Sequence, residues 1–339
     1  MTTSDIRATL ARLAAHGARW LCDKRPHWGD AILADGLIYA SSALGDAALL
    51  DAPSQWFAPK LASGPRLEGW FWFWAAEALP AIDLCEKTRK RELLDYARKI
   101  VDRFATASTT PTGAIVPHPP ALEAWVDVAY FSAPATARLG RLLRDRALQE
   151  RALDQVLAHQ RALLDSKSGL MWHVAYADRG THSPCLWARG NSWYSIAASQ
   201  VLADCSGMSG EEGPEIRAVL ARQLNAIVAL QDRSGLWHTV IDRPETYLEA
   251  SCAAGFALAL GRALAMKLDD GLDPAEAEIA YERALDAICS KITSDGELTQ
   301  VSQQTPPGDV AHYNSIEIGS ASYGTGVALM ALAEWLGSK

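Results

Sequence analysis

The chain has 339 residues, 49% of them hydrophobic and 21% charged, which is typical of a folded protein with a sizeable core and excludes a disordered chain. Its net charge of −8 argues against a nucleic-acid or anionic-membrane partner, because both need basic patches. No stretch approaches the roughly 18 apolar residues of a membrane span, and the N-terminus has no apolar signal segment. We therefore predict a cytoplasmic protein.

The cysteines and histidines show no metal-site pattern. The six cysteines lack CxxC pairs and a dense framework, so we expect reduced thiols. A histidine site is disfavoured because no two of the four candidates stand at HxxxH spacing on one helix. Those candidates are His118, His173, His182 and His238.

Apolar residues recur at helical spacing along most of the chain, and no alternating strand of five or more residues competes. This pattern predicts an all-α protein with twelve helices. In chain order they cover residues 6–21, 32–44, 55–61, 70–79, 93–104, 126–139, 143–164, 193–202, 216–230, 248–265, 275–292 and 323–336.

The predicted helices are of two kinds. One kind is rich in Ala, Gly and Ser and nearly free of charge, which indicates burial, and the helices between them carry charged outer faces, as in residues 87–99. The buried kind begins near Ala31, Trp70, Val126, Trp193, Leu248 and Tyr323.

A weak repeat supports a closed ring of helix pairs. Turns at Gly113, Gly169, Gly235 and Gly296 recur at intervals of about 60 residues, each between an outer helix and the next inner one. Nothing between the ends of the chain resembles a linker. We predict one (α/α)6-barrel domain over residues 1–339, with six inner and six outer helices.

In such a ring, the loops before the inner helices gather at one rim. They supply stacking aromatic rings, carboxylates, histidines and an arginine, a combination that suits an acidic sugar. The rim segments are residues 26–30, 65–70, 118–127, 173–193, 245–249 and 312–323.

Two rim residues carry the strongest chemical signal. Asp127 enters an otherwise apolar helix, where burial would raise its pKa and make it a general acid, although a helix-start carboxylate is the alternative. Arg189 stands between Trp187 and Trp193, with Gly190 and Asn191 between them as backbone-turn residues. It would hold a carboxylate through two hydrogen bonds, or else form an internal salt bridge.

Two interpretations remain open for each of four further residues. His118 and His173 would donate to sugar hydroxyls or act as structural donors. Glu68 and Glu249 would supply a second carboxylate or would be solvated helix starts.

Several segments resemble the unsaturated rhamnogalacturonyl hydrolases of glycoside hydrolase family 105, which are related to the unsaturated glucuronyl hydrolases of family 88. The resemblance covers roughly residues 110–335. It rests on the segments Trp125-Val-Asp127, Ser183-Pro-Cys-Leu-Trp-Ala-Arg-Gly-Asn-Ser-Trp193, Ser234-Gly-Leu-Trp-His238 with Tyr247-Leu-Glu-Ala-Ser251, and Tyr323-Gly-Thr-Gly326.

The resemblance implies a barrel enzyme that removes a 4,5-unsaturated uronic acid from the non-reducing end of lyase-generated oligosaccharides, with unsaturated galacturonyl-rhamnose as the expected substrate. Asp127 matches the catalytic acid, which protonates C4 of the vinyl ether and assists water addition at C5. Substrate-binding positions fall on His173, Trp187, Arg189 and Trp193. No metal or organic cofactor is implied.

The chain departs from the family pattern at three positions. His118 lies about two residues from the family's other histidine. Glu68 stands where aspartate is common, and Ser192 stands where glycine is usual. We expect both Glu68 and His118 to bind substrate.

Two other functions remain as alternatives. An N-acylglucosamine 2-epimerase-like isomerase would share the barrel and would need two facing histidines. A non-catalytic sugar-binding barrel would keep the aromatic walls without turnover. We expect a monomer or homodimer whose partner is a small acidic oligosaccharide.

Overall fold

The computed structural model describes residues 2–23, 27–208 and 210–338, so Pro26 of the predicted rim segment lies outside the described residues. Helices dominate this part of the chain. They are α1 (Thr3–Asp23), α2 (Gly29–Leu44), a 3-10 turn (Ala47–Leu50), α3 (Asp51–Ser63), α4 (Phe71–Ala75), α5 (Ala78–Thr88), α6 (Arg91–Phe104), α7 (Val128–Leu143), α8 (Arg146–Leu163), α9 (Ala188–Asp204), α10 (Glu212–Ala229), α11 (Ala250–Ala265), α12 (Pro274–Ser290), α13 (Val310–Ser315) and α14 (Ser322–Gly337).

Six of these helices form the inner ring. Helices α2, α5, α7, α9, α11 and α14 each pack on the next, and α14 packs on α2, so the ring closes. Helices α1, α3, α6, α8, α10 and α12 pack around it from outside. The predicted (α/α)6 barrel is confirmed. No helix in the described ranges has the length and apolar character needed to cross a membrane.

Burial explains the two kinds of helix. Nearly every residue of α9 is buried, because this helix has neighbours on all sides. The outer helix α6 buries one face, at Leu93, Tyr96, Ala97, Ile100, Val101 and Phe104, and leaves its charged residues exposed. This spacing of three and four residues is the signature of an amphipathic helix on a core.

The ring closes through a tight contact between its first and last inner helices, α2 and α14. A Cβ atom added to Gly36 of α2 would lie 2.5 Å from the carbonyl oxygen of Gly326 in α14. A Cβ atom on Gly326 would collide with the backbone at Ile32. The two backbones therefore approach so closely that only glycine fits at these positions.

The second inner helix differs from the prediction. Residues 70–79 were expected to form one helix, but α4 ends at Ala75 and α5 begins at Ala78. Pro80 accounts for the break, because its ring would clash with the carbonyl of residue 76 in a continuous helix. Helix α5 then runs to Thr88, so Lys87 belongs to this inner helix.

Short strands line the rim, and each has only two or three residues. β1 pairs with β2 and β2 with β3, while β4 pairs with β5 and β6 with β7, all antiparallel. The strands are β1 (Glu123–Trp125), β2 (Val174–Tyr176), β3 (Thr181–His182), β4 (Trp237–His238), β5 (Leu248–Glu249), β6 (Val301–Ser302) and β7 (Ile318–Gly319). The four predicted turn glycines have positive φ angles of 91°, 81°, 85° and 86°, which favours glycine at each turn.

Candidate active site

A cavity of about 400 Å³ opens at the end of the ring where the inner helices begin. It is within the size range of small-ligand sites. Six of the described residues that line it are tryptophans, and Asp127 is the only carboxylate among them. The lining residues are Trp28, Trp70, Trp72, His118, Trp125, Asp127, His173, Trp187, Arg189, Trp193, Gln304, Thr305 and Pro306.

The structure brings six of the seven predicted site residues to this cavity: His118, Asp127, His173, Trp187, Arg189 and Trp193. Glu68 is the exception. It is exposed in the bend before α4 and does not line the cavity. The short β1–β2 ladder explains how the distant segments meet, because Trp125 pairs with Val174 and the Val126 amide donates to the His173 carbonyl at 3.0 Å.

Asp127 is a buried carboxyl group at the start of α7. It is the N-cap residue of that helix, but its side chain makes no capping hydrogen bond, so capping does not account for it. Oδ2 accepts a hydrogen bond from Nε1 of Trp72 at 2.8 Å, while Oδ1 is buried and has no partner in the described chain. Burial raises the pKa of Asp127 to about 6, against the opposing effects of the Trp72 hydrogen bond and the Arg189 charge.

Arg189 lies between different rings from those expected. Its guanidinium is 4.7 Å from the Trp187 ring centre and 4.8 Å from that of Tyr323. The predicted position between Trp187 and Trp193 is therefore wrong on one side. Arg189 lies in the first turn of α9, so Trp193, which follows four residues later, lies one turn further into the barrel. The ring centre of Trp193 is 4.7 Å from that of Tyr130.

The two terminal nitrogens of Arg189 are bound to the protein. Nη1 donates to the Ser302 carbonyl at 2.7 Å and to the Ser251 hydroxyl at 3.3 Å. Nη2 donates to the Gln303 carbonyl at 2.9 Å and to the Thr305 hydroxyl at 3.1 Å. Nε is buried without a partner among the described residues. No carboxylate of the described ranges lies within ion-pair distance, so the internal salt bridge that was the alternative interpretation is absent there.

Gly190 and Asn191 do not form a backbone turn, which corrects the prediction. Both are helical and buried in α9. A Cβ atom on Gly190 would lie 2.5 Å from Cγ1 of Val126, so glycine is needed for close packing rather than for a turn. The Asn191 side chain accepts from the Met171 amide at 2.8 Å and donates to its carbonyl at 3.0 Å, which ties α9 to the loop before His173.

His173 is buried and is 4.3 Å from the Trp187 ring centre. Its Nδ1 is 2.6 Å from the Tyr313 hydroxyl, and its Nε2 has no partner in the described chain. Burial, followed by the charge of Arg189, lowers the pKa of His173 to about 3, so the ring is neutral at neutral pH. We assign the Tyr313 hydroxyl as the donor to Nδ1, which leaves an N–H on Nε2.

His118 is half-buried at the mouth of the cavity. Its ring centre lies 4.9 Å from that of Trp72 and 5.7 Å from that of Trp125. Burial lowers the pKa of His118, with Glu123 opposing this effect. Glu249 does not reach the site as a second carboxylate, because it caps α11 by accepting from the amides of Ser251 and Cys252 at 2.8 and 3.2 Å.

Sequence reasoning missed several site residues. Trp72 was not distinguished from core residues, because it lies in the run Trp70-Phe-Trp-Phe-Trp74. The Trp28 ring stacks on that of Tyr323, with the ring centres 4.8 Å apart. The position of Trp28 just before an inner helix is the sequence signal that could have identified it. Gln304, Thr305 and Pro306 come from the loop after β6, which carries no recognisable pattern.

Comparison with known proteins finds a matching family model and a similar sequence. A family model described as Glycosyl Hydrolase Family 88 matches residues 10–339. The unsaturated rhamnogalacturonyl hydrolase YesR of Bacillus subtilis is 30% identical over 225 residues, which are 64% of this chain and 61% of that protein. The match thus spans less than two thirds of the relative's length.

Two solved structures are similar over nearly the whole chain. A possible member of the GH105 family from Salmonella enterica serovar Paratyphi A is 25% identical, with a TM-score of 0.88, over 100% of this chain and 95% of the other. An unsaturated glucuronyl hydrolase from Bacillus sp. GL1 is 15% identical, with a TM-score of 0.77, over 98% and 96%, and this likeness shows the fold alone. Since the family model covers almost all of the sequence, the chain belongs to Glycosyl Hydrolase Family 88.

Proposed function

We propose that the protein hydrolyses lyase-generated oligosaccharides by removing the 4,5-unsaturated uronic acid at their non-reducing end. The observation that carries this proposal is Asp127, a buried carboxyl group with a raised pKa and one unbound oxygen, which lines a tryptophan-walled cavity. A carboxyl group of this kind is protonated in a useful fraction near pH 6 and can act as an acid.

The chemistry needs one group that gives a proton and then takes one back. Asp127 gives its proton to C4 of the vinyl ether, and the ring oxygen stabilises the cation that forms at C5. Water adds at C5 and its proton passes to the Asp127 carboxylate, which leaves a hemiketal. The bond between C5 and the ring oxygen then breaks, and the hemiacetal at C1 collapses to an aldehyde and releases the aglycone.

Arg189 supports an acidic sugar as the substrate. Its charge is buried in the cavity wall and forms no direct ion pair in the described residues, since the buried Glu249 carboxylate reaches it only through the Ser251 hydroxyl. Its Nε–H is unbound within those residues. The Nε2–H of His173 is a second unbound donor at the same cavity. A uronate carboxylate would satisfy these donors and balance the charge, since buried charges in proteins are normally paired.

The name of the Bacillus relative, an unsaturated rhamnogalacturonyl hydrolase, supports unsaturated galacturonyl-rhamnose as the preferred substrate. We also propose a single domain, which is supported by one hydrophobic core that draws on helices from both ends of the chain. A cytoplasmic location is supported by six cysteines without a disulfide, and fractionation of cells would test it.

The direct test follows the ultraviolet absorbance of the double bond. Incubation with unsaturated products of rhamnogalacturonan lyases should remove this absorbance, because hydration destroys the conjugation. Glucuronyl and ulvan-type products should be compared in parallel to define the aglycone. Persistent absorbance with all three classes would contradict the proposal.

Replacing the acid tests its role. Asp127→Asn should lower kcat by a factor of about 10² to 10⁴, because an amide transfers no proton, while substrate still binds. Calorimetric titration measures the retained binding. Asp273→Asn, at the start of α12, is the matched control because asparagine caps a helix as well as aspartate does. Normal turnover by Asp127→Asn would remove this residue from its role.

A sugar isomerase is the second candidate, because His118 and His173 both line the cavity. Such an enzyme exchanges the proton at C2, so incubation in D₂O should introduce deuterium there. The lowered pKa of His173, about 3, disfavours this reaction because the ring is a weak base. Absence of deuterium at C2 together with loss of the double bond would exclude the isomerase.

A further inference from the structure

The two oxygens of Asp127 have different environments. Oδ2 accepts from Trp72 Nε1 at 2.8 Å, and Oδ1 is unbound within the described chain. An indole N–H is a donor and never an acceptor. In a neutral carboxylic acid the carbonyl oxygen accepts hydrogen bonds better than the hydroxyl oxygen. The acid proton is therefore favoured on Oδ1, the oxygen that Trp72 does not hold.

We propose that Trp72 is a positioning residue that keeps the transferable proton of Asp127 on Oδ1. This proposal rests on the hydrolase function above, in which Asp127 protonates the substrate. Among the described residues, no other side chain donates to the Asp127 carboxyl group. The Trp72 N–H is therefore the side-chain contact that distinguishes the oxygen that presents the proton to the double bond from the other oxygen, while the backbone amides of Asp127 and Val128 favour the charged form of the group as a whole.

The indole of Trp72 is fixed before any substrate arrives. Its side chain is buried, and its ring meets the rings of Trp125 and Phe71 edge to face at 5.5 and 6.0 Å. The His118 ring packs at 4.9 Å on the side of the cavity mouth. A donor held in this way needs no reorganisation during the reaction, which is what makes such a contact effective.

The hydrogen bond also has a pH consequence. Donation to a carboxylate favours the charged form and opposes the effect of burial. Removing the donor should raise the pKa of Asp127. The alkaline limb of the activity profile, where the acid loses its proton, should then move to higher pH.

Trp72→Phe tests the proposal, since it keeps an aromatic ring and removes the N–H. We expect kcat to fall about tenfold or more, KM to change little, and the alkaline limb to rise by about one pH unit. Trp74→Phe is the control, because Trp74 is a buried indole of the same helix that does not line the cavity. A Trp72→Phe profile that superimposes on the wild-type profile would overturn the proposal.

A second variant removes the donor with less change in shape. Replacing the Trp72 indole by a benzothiophene substitutes sulfur for the N–H, and the same shift is expected even if the phenylalanine variant is unstable. Carbon-13 NMR of the Asp127 carboxyl group measures its pKa without turnover. If the wild type consumes no unsaturated uronide, the hydrolase proposal fails, whereas an unchanged carboxyl pKa in both Trp72 variants refutes the role of Trp72.

Discussion

The raised pKa that lets Asp127 act as an acid also lowers the stability of the folded protein at neutral pH. Burial raises its pKa to about 6, above the value of 3.8 of an exposed aspartate. The folded protein therefore binds this proton more tightly than the unfolded chain does. Its contribution to stability is fully present below pH 3.8 and is lost as the pH rises through 6. At neutral pH the ionised carboxylate lies in a setting that disfavours its charge.

Asp127→Asn should therefore stabilise the folded protein at pH 7.5 by at most about 3 kcal/mol and have little effect near pH 4. The amide carries no charge, so it avoids the desolvation that the carboxylate suffers. Urea unfolding at the two pH values measures the difference. The same gain at both pH values would mean that the substitution acts through packing and that titration of Asp127 is not the cause.

The sequence indicated the environment of Asp127 but not that of Arg189. An aspartate in an apolar helix predicts burial and a raised pKa, and both are found. Three of the four partners of Arg189 lie in residues 302–305, more than 110 positions away, and the fourth is Ser251. A lone sequence carries no signal for these contacts. Trp72 was missed for a related reason. A tryptophan within an aromatic run gives no sign that its N–H donates a hydrogen bond to a residue of another barrel segment.

At the scale of elements, the seam between α2 and α14 is one of the tightest backbone contacts of the described chain. Gly326→Ala should destabilise the protein by more than about 3 kcal/mol, because the new methyl group meets the backbone of α2, which cannot move aside. Thermal unfolding measures the effect. Gly337→Ala in the same helix is the control, since nothing lies within 4 Å of its added Cβ atom. Similar losses in both variants would indicate a helix effect unrelated to the seam.

The helices were predictable because their apolar spacing is regular, but their boundaries were less so. Helix α9 begins at Ala188 rather than near Trp193, since polar residues of its first turn are buried by rim loops that the pattern does not show. The break at Pro80 was readable in principle, because proline disfavours an uninterrupted helix there. The short rim strands follow from loop contacts and have no pattern of their own.

At the scale of the whole molecule, the inner ring has a polar end opposite the cavity. Arg138 lies eleven residues after Asp127, about 16 Å along α7. It forms buried ion pairs with Asp83 of α5 and, at 2.9 Å, with Asp204 of α9. Asp35 of α2 lies beside Asp83, and burial together with this neighbour holds the pKa of Asp35 well above its usual range. This cluster joins four inner helices in succession.

Arg138→Met should destabilise the protein by about 3 to 5 kcal/mol, because it leaves Asp83 buried without its cation. Activity below the unfolding temperature should stay at the wild-type value, since the cluster is distant from the cavity. Arg98→Met is the control, because Arg98 forms an exposed pair with Asp102 worth less than about 1 kcal/mol. A selective loss of kcat in Arg138→Met would show that the two ends of the ring are coupled.

The glycine seam also bears on how the chain is made. Helix α2 begins at residue 29, and its partner α14 begins at residue 322. At a synthesis rate of about 5 to 20 residues per second, α14 leaves the ribosome tens of seconds after α2. During that interval the Gly36 face of α2 has no α14 to cover it. The first inner helix thus completes its packing only after the last one emerges, and we expect its uncovered face to be prone to aggregation until then.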